Sequence, residues 1–231
     1  MRGTSQETDR AEVRMPWTGA MHALKGTVEG LLHNVRDRVR GARGVTVWQD
    51  EGPYYPGHAV VAATGSDLTR GFKASGRLFV LKGQVTDAQG SPVRGAEVQI
   101  WQTDDLHGRY LVEPSRAPRD PNFAYMGTCL TDTEGSFAFT TVRPRDYGIA
   151  FVRRAPHIHV KVFVGGLCKL TTQGYFDDER AMLGRDFVRA LFLRTEQDRE
   201  ATVMKVERSR EATQQAGAEV QEGSLHLVLA G

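Results

Sequence analysis

Apolar residues recur at every second position in several short runs of this chain, and turns bearing glycine or aspartate separate the runs. Gly95 to Thr103 places Ala96, Val98 and Ile100 on one face and Glu97 and Gln99 on the other. Leu78 to Thr86 reads as a strand that ends in the turn Asp87-Ala88-Gln89-Gly90. Leu130 and Thr131 lead into Asp132-Thr133-Glu134-Gly135, after which Phe137, Phe139 and Thr141 alternate. His157 to Val164 turns back through Gly165-Gly166 into Leu167 to Thr172, a two-residue hairpin signal. Ser224 to Leu229, with Leu225, Leu227 and Leu229, supplies a last strand. A period of two is the strand period. Short strands joined by such turns predict an all-β fold, an antiparallel β-sandwich. Asp186 to Leu193 and Glu196 to Val206 read as short helices between the late strands, and no internal repeat is visible.

Ahead of the strands the period changes. Leu24, Val28, Leu31, Leu32, Val35 and Val39 fall at spacings of three and four, which predicts an amphipathic helix from Trp17 to Arg40. Its stripe must pack on the sandwich or on a second copy of the chain, so a homodimer through this helix is one expectation. Residues 1 to 16 are polar and read as a disordered tail. The chain therefore divides into residues 1–45, tail and helix, and residues 46–231, the sandwich.

Composition excludes more than it assigns. At 231 residues, 25% charged and net charge +2, the chain matches an ordinary soluble protein of one large domain or two small ones. The basic run Arg36, Arg38, Arg40 and Arg43 has no aromatic platform beside it, so it reads as a solvated helix face and no nucleic-acid partner is expected. No run approaches the roughly 18 apolar residues of a membrane span. Cys129 and Cys168 form no CxxC or zinc-ligand spacing and read as free thiols in a reducing compartment. The polar start of the chain lacks an apolar signal segment. A cytoplasmic location is the expectation.

Within Arg154-Ala155-Pro156-His157-Ile158-His159-Val160, residues i and i+2 of a strand share a face. His157 and His159 thus present two imidazoles side by side, while Ile158 and Val160 point into the core. Pro156 keeps the entry extended. An HxH alone is half of a metal site, and two histidines of the surface or core are the commoner meaning. Two tyrosines lie in polar loops upstream, Tyr110 after Leu106-His107-Gly108-Arg109 and Tyr147 after Arg143-Pro144-Arg145-Asp146. Phenolate is a hard anionic donor suited to ferric iron, and imidazole accepts iron, zinc or copper. Zinc would more usually recruit cysteine, histidine or carboxylate. His22, His33, His58, His107 and His226 have no partner at ligand spacing.

Further stretches extend this pattern: Glu51-Gly52-Pro53-Tyr54-Tyr55, Gly83-Gln84-Val85, Gly95 to Gln102, Gly108-Arg109-Tyr110, Asp120-Pro121-Asn122-Phe123, Thr131-Asp132, Gly135 and Thr172-Gln173-Gly174-Tyr175-Phe176. In this order the chain resembles the intradiol ring-cleavage dioxygenases from about Glu51 to Gly231. Asp120 to Thr141 looks most like the iron-bearing subunit of protocatechuate 3,4-dioxygenase; the catechol 1,2-dioxygenase branch carries a larger helical N-terminal domain. The resemblance implies a non-haem Fe(III) cofactor, with Tyr110, Tyr147, His157 and His159 as metal ligands. Tyr147 and His159 would be the axial pair, and Tyr110 and His157 equatorial beside a hydroxide. It makes residues 46–231 the catalytic domain, and Arg154, Gln173 and Tyr147 catalytic. A small catecholic substrate and O2 would be the reactants, and Tyr147 would leave the metal with a proton as the diol binds. The ring would open between the two hydroxylated carbons to a cis,cis-muconate-type diacid, a step in aromatic compound catabolism. Arg154 would stabilise charge developing on the ring.

Two positions depart from the family pattern. Ile149 stands where relatives near protocatechuate dioxygenase often carry an aromatic residue, and Arg145 follows Pro144 where glycine is usual. The first predicts a roomier, more apolar wall on the ring's substituent side. The alternative class is a non-catalytic sandwich module of the transthyretin-like or carboxypeptidase-regulatory kind, which shares the glycine-turn pattern. A third reading puts zinc or copper on the same scaffold.

Overall fold

The computed structural model describes residues 18–39, 44–114, 116, 118–149 and 152–231, with side chains from residue 24 onward and without that of Ile149. The tail 1–16, Trp17, Arg40 and Arg43 lie outside these residues, as does the side chain of His22. In chain order the elements are helix α1 (Thr18–Val39), the short α2 (His58–Ala62), and strands β1 (Leu78–Asp87), β2 (Glu97–Trp101), β3 (Met126–Leu130), β4 (Ser136–Val142), β5 (Tyr147–Ile149) and β6 (Val152–Arg154). They continue with β7 (His157–Val164), β8 (Leu167–Phe176), α3 (Arg180–Leu183), α4 (Phe187–Phe192), α5 (Glu196–Glu200), β9 (Val203–Met204), β10 (Glu207–Arg208), α6 (Arg210–Ala216) and β11 (Val220–Leu229).

Two sheets face each other, one ordered β10-β11-β1-β4 and the other β3-β2-β7-β8-β9, and β5 and β6 form a separate hairpin. The alternation read from sequence decides which side chains meet between the sheets. Leu81, Val85, Val98, Ile100, Phe139, Ile158, Val160, Val162 and Phe176 are all buried in the shared core. Fully burying side chains of this size contributes about 1.5–3 kcal/mol each relative to exposure. Pairing is mostly antiparallel, as expected, but β1 pairs with β11 and β8 with β9 in parallel. Both parallel pairs join strands far apart in the chain, so no hairpin dictates their direction. Helices α2, α3 and α6, the hairpin β5–β6, most of β3 and the short β9 and β10 are additions to the sequence reading, and the helix expected from Glu196 to Val206 ends at Glu200 and gives way to β9. Strands of two or three residues carry too little periodicity to be legible.

The helix α1 meets the sandwich largely by residues outside its apolar stripe, so of the two expectations for the stripe the sandwich takes little of it. The Asn34 amide donates to the carbonyl of Trp48 and accepts from its N–H, both at 2.9 Å, and His33 stacks on the Trp48 ring at 3.8 Å. A Cβ added to Gly30 would lie 3.1 Å from Phe192, which shows how closely the helix backbone approaches the sandwich. Of the six stripe residues, Leu31 alone packs inward, against the cluster of Leu183, Phe192 and Leu193. Leu24, Val28, Leu32, Val35 and Val39 stay 48–82% exposed.

Candidate metal centre

Because Ile158 and Val160 face the core, His157 and His159 project from the outer face of the five-stranded sheet. Register places Trp101 opposite His159 and His159 opposite Gln173, with Tyr175 opposite His157. One row of aromatic and polar side chains therefore crosses β2, β7 and β8 on a face that no second sheet covers. Loops cover it instead, and each brings a functional group.

The first cover is the segment 46–55. It runs along β8, with Gln49 N donating to Thr171 O at 2.8 Å and Thr172 Oγ1 donating to Val47 O at 3.0 Å. Lys161 pairs with Glu51 and stands 4.2 Å from the Tyr55 ring centre, and Tyr55 donates to Gln99 Oε1 at 2.6 Å. These contacts pin Gly52 against the imidazole of His159. Gly52 has φ 71°, and a Cβ there would stand 3.4 Å from His159 Cε1. Both facts favour the residue without a side chain. Tyr54, half-buried, then lies 5.0 Å from the Tyr110 ring and 6.5 Å from that of Tyr147.

The other two covers carry the tyrosines and are tied to one another. Asp104 Oδ1 accepts from the N–H groups of His107 and Gly108 at 2.6 and 3.0 Å, closing the turn that presents Tyr110. Glu113 pairs with Arg109 and accepts from Tyr110 N at 3.2 Å. Thr103 Oγ1 donates to Arg145 O, and Arg145 reaches back to Leu106 O, both at 2.8 Å. Arg145 thus links the two tyrosine loops. Gly108, at φ 65°, packs so near Asp146 that an added Cβ would lie 2.6 Å from its carbonyl oxygen. Tyr147 opens β5, paired in register with Arg154 of β6.

The outcome is a buried cluster of four side chains. The Tyr110 and Tyr147 rings are 5.1 Å apart, Tyr147 and His157 5.6 Å, and Tyr110 and His159 6.1 Å. His157 Nε2 and His159 Nε2 approach to 3.1 Å. The Trp101 indole stacks on His159 at 4.6 Å. The phenol oxygens of Tyr110 and Tyr147 have no aligned hydrogen-bond partner among the described residues. His157 Nδ1 lies 2.6 Å from the carbonyl of Ala155, so Nδ1 carries the proton and donates it, leaving the Nε2 lone pair directed at the cluster.

Electrostatics of the protein alone are those of a site built from neutral donors. Burial, then the charge of Arg154, lowers His157 to about 3. Burial, His157 and Arg154 hold His159 well below the ordinary value. Burial raises Tyr147 to about 12, though Arg154 opposes it. Burial and then Tyr147 raise Tyr110 well above its ordinary range. A trivalent cation among these groups would reverse the balance for the phenols and keep the imidazoles deprotonated. Two buried phenols with no aligned hydrogen-bond partner, beside two buried imidazoles, fit ferric iron as a donor set. Among the described residues no three or more His, Cys, Asp or Glu side chains group to hold a metal, so a two-histidine, one-carboxylate triad does not assemble there.

Behind the cluster lies a network that sequence reasoning reached only in part. Arg154 and Gln173 were legible, and they meet, Arg154 Nη2 donating to Gln173 Oε1 at 2.6 Å. Gln49, Asp50, Tyr175 and Asp186 complete the network. Tyr175 was findable as the i+2 neighbour of Gln173 on the same strand face. Asp186 was findable as a helix N-cap, and it does cap α4 by accepting from Arg189 N at 2.9 Å. Nothing in the sequence singled out Asp50. The remaining histidines stand apart: His58 lies beside Glu97 and His226 beside Thr86.

A protein-family model described as "Dioxygenase" matches residues 50–231. Among curated proteins, the beta chain of protocatechuate 3,4-dioxygenase from Burkholderia cepacia is 39% identical over 107 residues, 44% of this chain and 45% of that one. Catechol 1,2-dioxygenase from Candida albicans is 33% identical over 156 residues, 61% of this chain and 50% of that one. The chain thus spans about half the length of these curated relatives. In fold, catechol 1,2-dioxygenase from Pseudomonas arvilla superposes with TM-score 0.68 at 23% identity, covering 93% of this chain and 71% of that one. An intradiol ring-cleavage dioxygenase from Tetranychus urticae superposes with TM-score 0.60 at 21% identity, covering 81% and 95% respectively.

Proposed function

Because the chain belongs to the intradiol ring-cleavage dioxygenases, we propose that it opens a catechol with O2 between the two hydroxylated carbons, giving a cis,cis-muconate-type diacid. The observation that carries this is the convergence of two buried phenols, neither with an aligned hydrogen-bond partner, and two imidazoles, which suits one non-haem Fe(III) held by Tyr110, Tyr147, His157 and His159. When bound there, ferric iron supplies charge balance for the diol oxygens and activates the ring for reaction with O2.

The side chains divide the remaining work. Held as a phenolate by the bound metal, Tyr147 would take up a proton at its phenolate oxygen as the diol enters, a role suited to a group whose neutral form burial favours. Tyr110, His157 and His159 keep the donor set assembled. Arg154 places a guanidinium beside the ring, where developing negative charge is stabilised in a buried setting. Gln173 fixes that guanidinium from the neighbouring strand. Tyr54 and Trp101 add apolar surface that excludes water from the reacting carbons. In this assignment residues 46–231 are the catalytic domain.

The natural substrate is proposed as catechol or an alkyl- or ring-substituted catechol, taken at least as well as protocatechuate. Ile149 in place of an aromatic residue motivates this; its side chain is outside the described residues. A non-catalytic sandwich module would have no use for the phenol–imidazole cluster. The exposed stripe of α1 is proposed as a homodimer face, since a second copy would cover Leu24, Val28, Leu32 and Val35, with Lys25, Glu29 and Arg36 of both signs at its rim. No helix among the described residues is long and apolar enough to cross a membrane, and we assign the activity to the cytoplasm, where Cys129 and Cys168 stay unpaired.

A panel of diols tests the assignment in two parts. Comparable or higher kcat/KM for catechols than for protocatechuate supports the pocket, and a strong preference for protocatechuate refutes it. A ring-opened semialdehyde instead of a muconate refutes the reaction class.

A further inference from the structure

We propose that Asp50 is a positioning residue for ring opening, holding the Arg154 guanidinium in place through the Gln173 amide and through its own charge. This rests on the dioxygenase assignment of the site. Gln173 is fully buried, and each end of its amide is committed. Its Nε2 donates to the carbonyl oxygen and to Oδ1 of Asp50, both at 2.9 Å. Its Oε1 accepts from Arg154 Nη2 at 2.6 Å and from Tyr175 OH at 2.8 Å. Turning the amide over would face N–H against N–H and oxygen against oxygen. The acceptors of Asp50 therefore dictate that the oxygen end of Gln173 meets Arg154.

Arg154 is gripped on two further sides. Its Nε donates to both oxygens of Asp186, each at 3.1 Å, and the same carboxylate accepts from Ala155 N at 3.0 Å. Its Nη1 stands 3.7 Å from Asp50 Oδ2, within ion-pair range but beyond a hydrogen bond. Nη1 is the guanidinium nitrogen that makes no hydrogen bond to a described residue, so it is the one left to meet a substrate. Asp50 Oδ2 also borders the space beside Gly52 into which His159 Nε2 faces: a Cβ at Gly52 would be 3.8 Å from that oxygen and 3.7 Å from that nitrogen. Two carboxylates on one guanidinium exceed what charge neutrality needs. The second earns its place by orienting Gln173 while leaving Nη1 loosely held toward the reaction site.

The test is a double-mutant cycle on the iron-loaded enzyme with catechol. Asp50→Asn keeps an oxygen for Gln173 but removes the charge, and kcat should fall about 10- to 100-fold while KM and iron per chain change less than about twofold. Arg154→Lys should lose at least as much. The double variant should be no worse than Arg154→Lys within about twofold, because Asp50 acts through Arg154. Losses that multiply, or a loss explained by missing iron, overturn the proposal. A second readout is independent of turnover. In protein loaded with diamagnetic Ga(III), hydrogen exchange at the Arg154 guanidinium should quicken at least about tenfold in Asp50→Asn. Unchanged exchange overturns the positioning role. If the unmodified protein opens no catechol, the dioxygenase assignment fails by itself, and exchange still decides whether Asp50 holds Arg154.

Discussion

Replacing Gly108 by alanine should damage the metal centre without touching any of its proposed ligands. Gly108 has φ 65°, and an added Cβ would sit 2.6 Å from the carbonyl oxygen of Asp146. The left-handed conformation costs an L-residue about 1–2 kcal/mol. Relief of the contact needs the two loops to part by about 0.8 Å to reach an ordinary 3.4 Å separation, and forcing such a fit into packed structure costs about 1–3 kcal/mol. The sum, about 2–5 kcal/mol, lowers Tm by about 4–20 °C in a chain of this length. Gly95→Ala is the control, since Gly95 has φ 68° but nothing within 4 Å of its Cβ position. It should show the conformational cost alone, about 2–4 °C for each 1 kcal/mol. The parting of the loops is also a parting of Tyr110 from Tyr147, so the Gly108 variant should bind less iron per chain and the control should not. Thermal scans and iron analysis of both variants decide the matter. A Gly108 variant with the control's Tm and full iron would refute the reasoning.

Three further outcomes follow from the same geometry. Metal-free protein should lose stability as pH falls from about 6.5 toward 5, because unfolded histidine takes up a proton near 6.5 while His157 is held near 3; each such buried imidazole contributes a slope of up to about 1.4 kcal/mol per pH unit, and denaturant melts of His157→Gln should show a shallower slope. Tyr147→Phe should lower catechol turnover at least about tenfold with little change in Tm, because it removes the proton acceptor but keeps the ring; wild-type turnover would remove Tyr147 from the reaction. Replacing Leu24, Val28 and Leu32 by serine should leave the fold intact and halve the mass measured by light scattering, whereas a parent protein already monomeric would refute the dimer face.

The sandwich was legible where its longer strands alternate, as in β4 and β11, because alternation decides which face is buried. Where strands are shorter, as in β5 and β6, the chain offers no period to read. The donor residues were legible through residue type and the i, i+2 rule at His157 and His159, but their supports were not. Asp50 lies 123 residues from Gln173, and Gln49 is equally remote from Thr172; such pairs leave no local trace. How α1 meets its own sandwich was not legible in the sequence, for a physical reason. Its apolar stripe drew attention, yet Gly30 and Asn34 make the closer approach, one by lacking a side chain and the other by bonding the backbone of Trp48. Small and polar residues can be the docking face when backbone groups need partners.

The measurement that bears most directly on the central claim follows one reaction with labelled oxygen. Protein loaded with Fe(III) is mixed with catechol under ¹⁸O₂ while its visible absorption is recorded. Phenolate bound to ferric iron should colour the resting protein, and that colour should change as the diol binds. Both labelled atoms should then appear in a cis,cis-muconate. A colourless iron-loaded protein, or a yellow semialdehyde as product, would contradict the assignment of Tyr110, Tyr147, His157 and His159 as the centre of an intradiol dioxygenase.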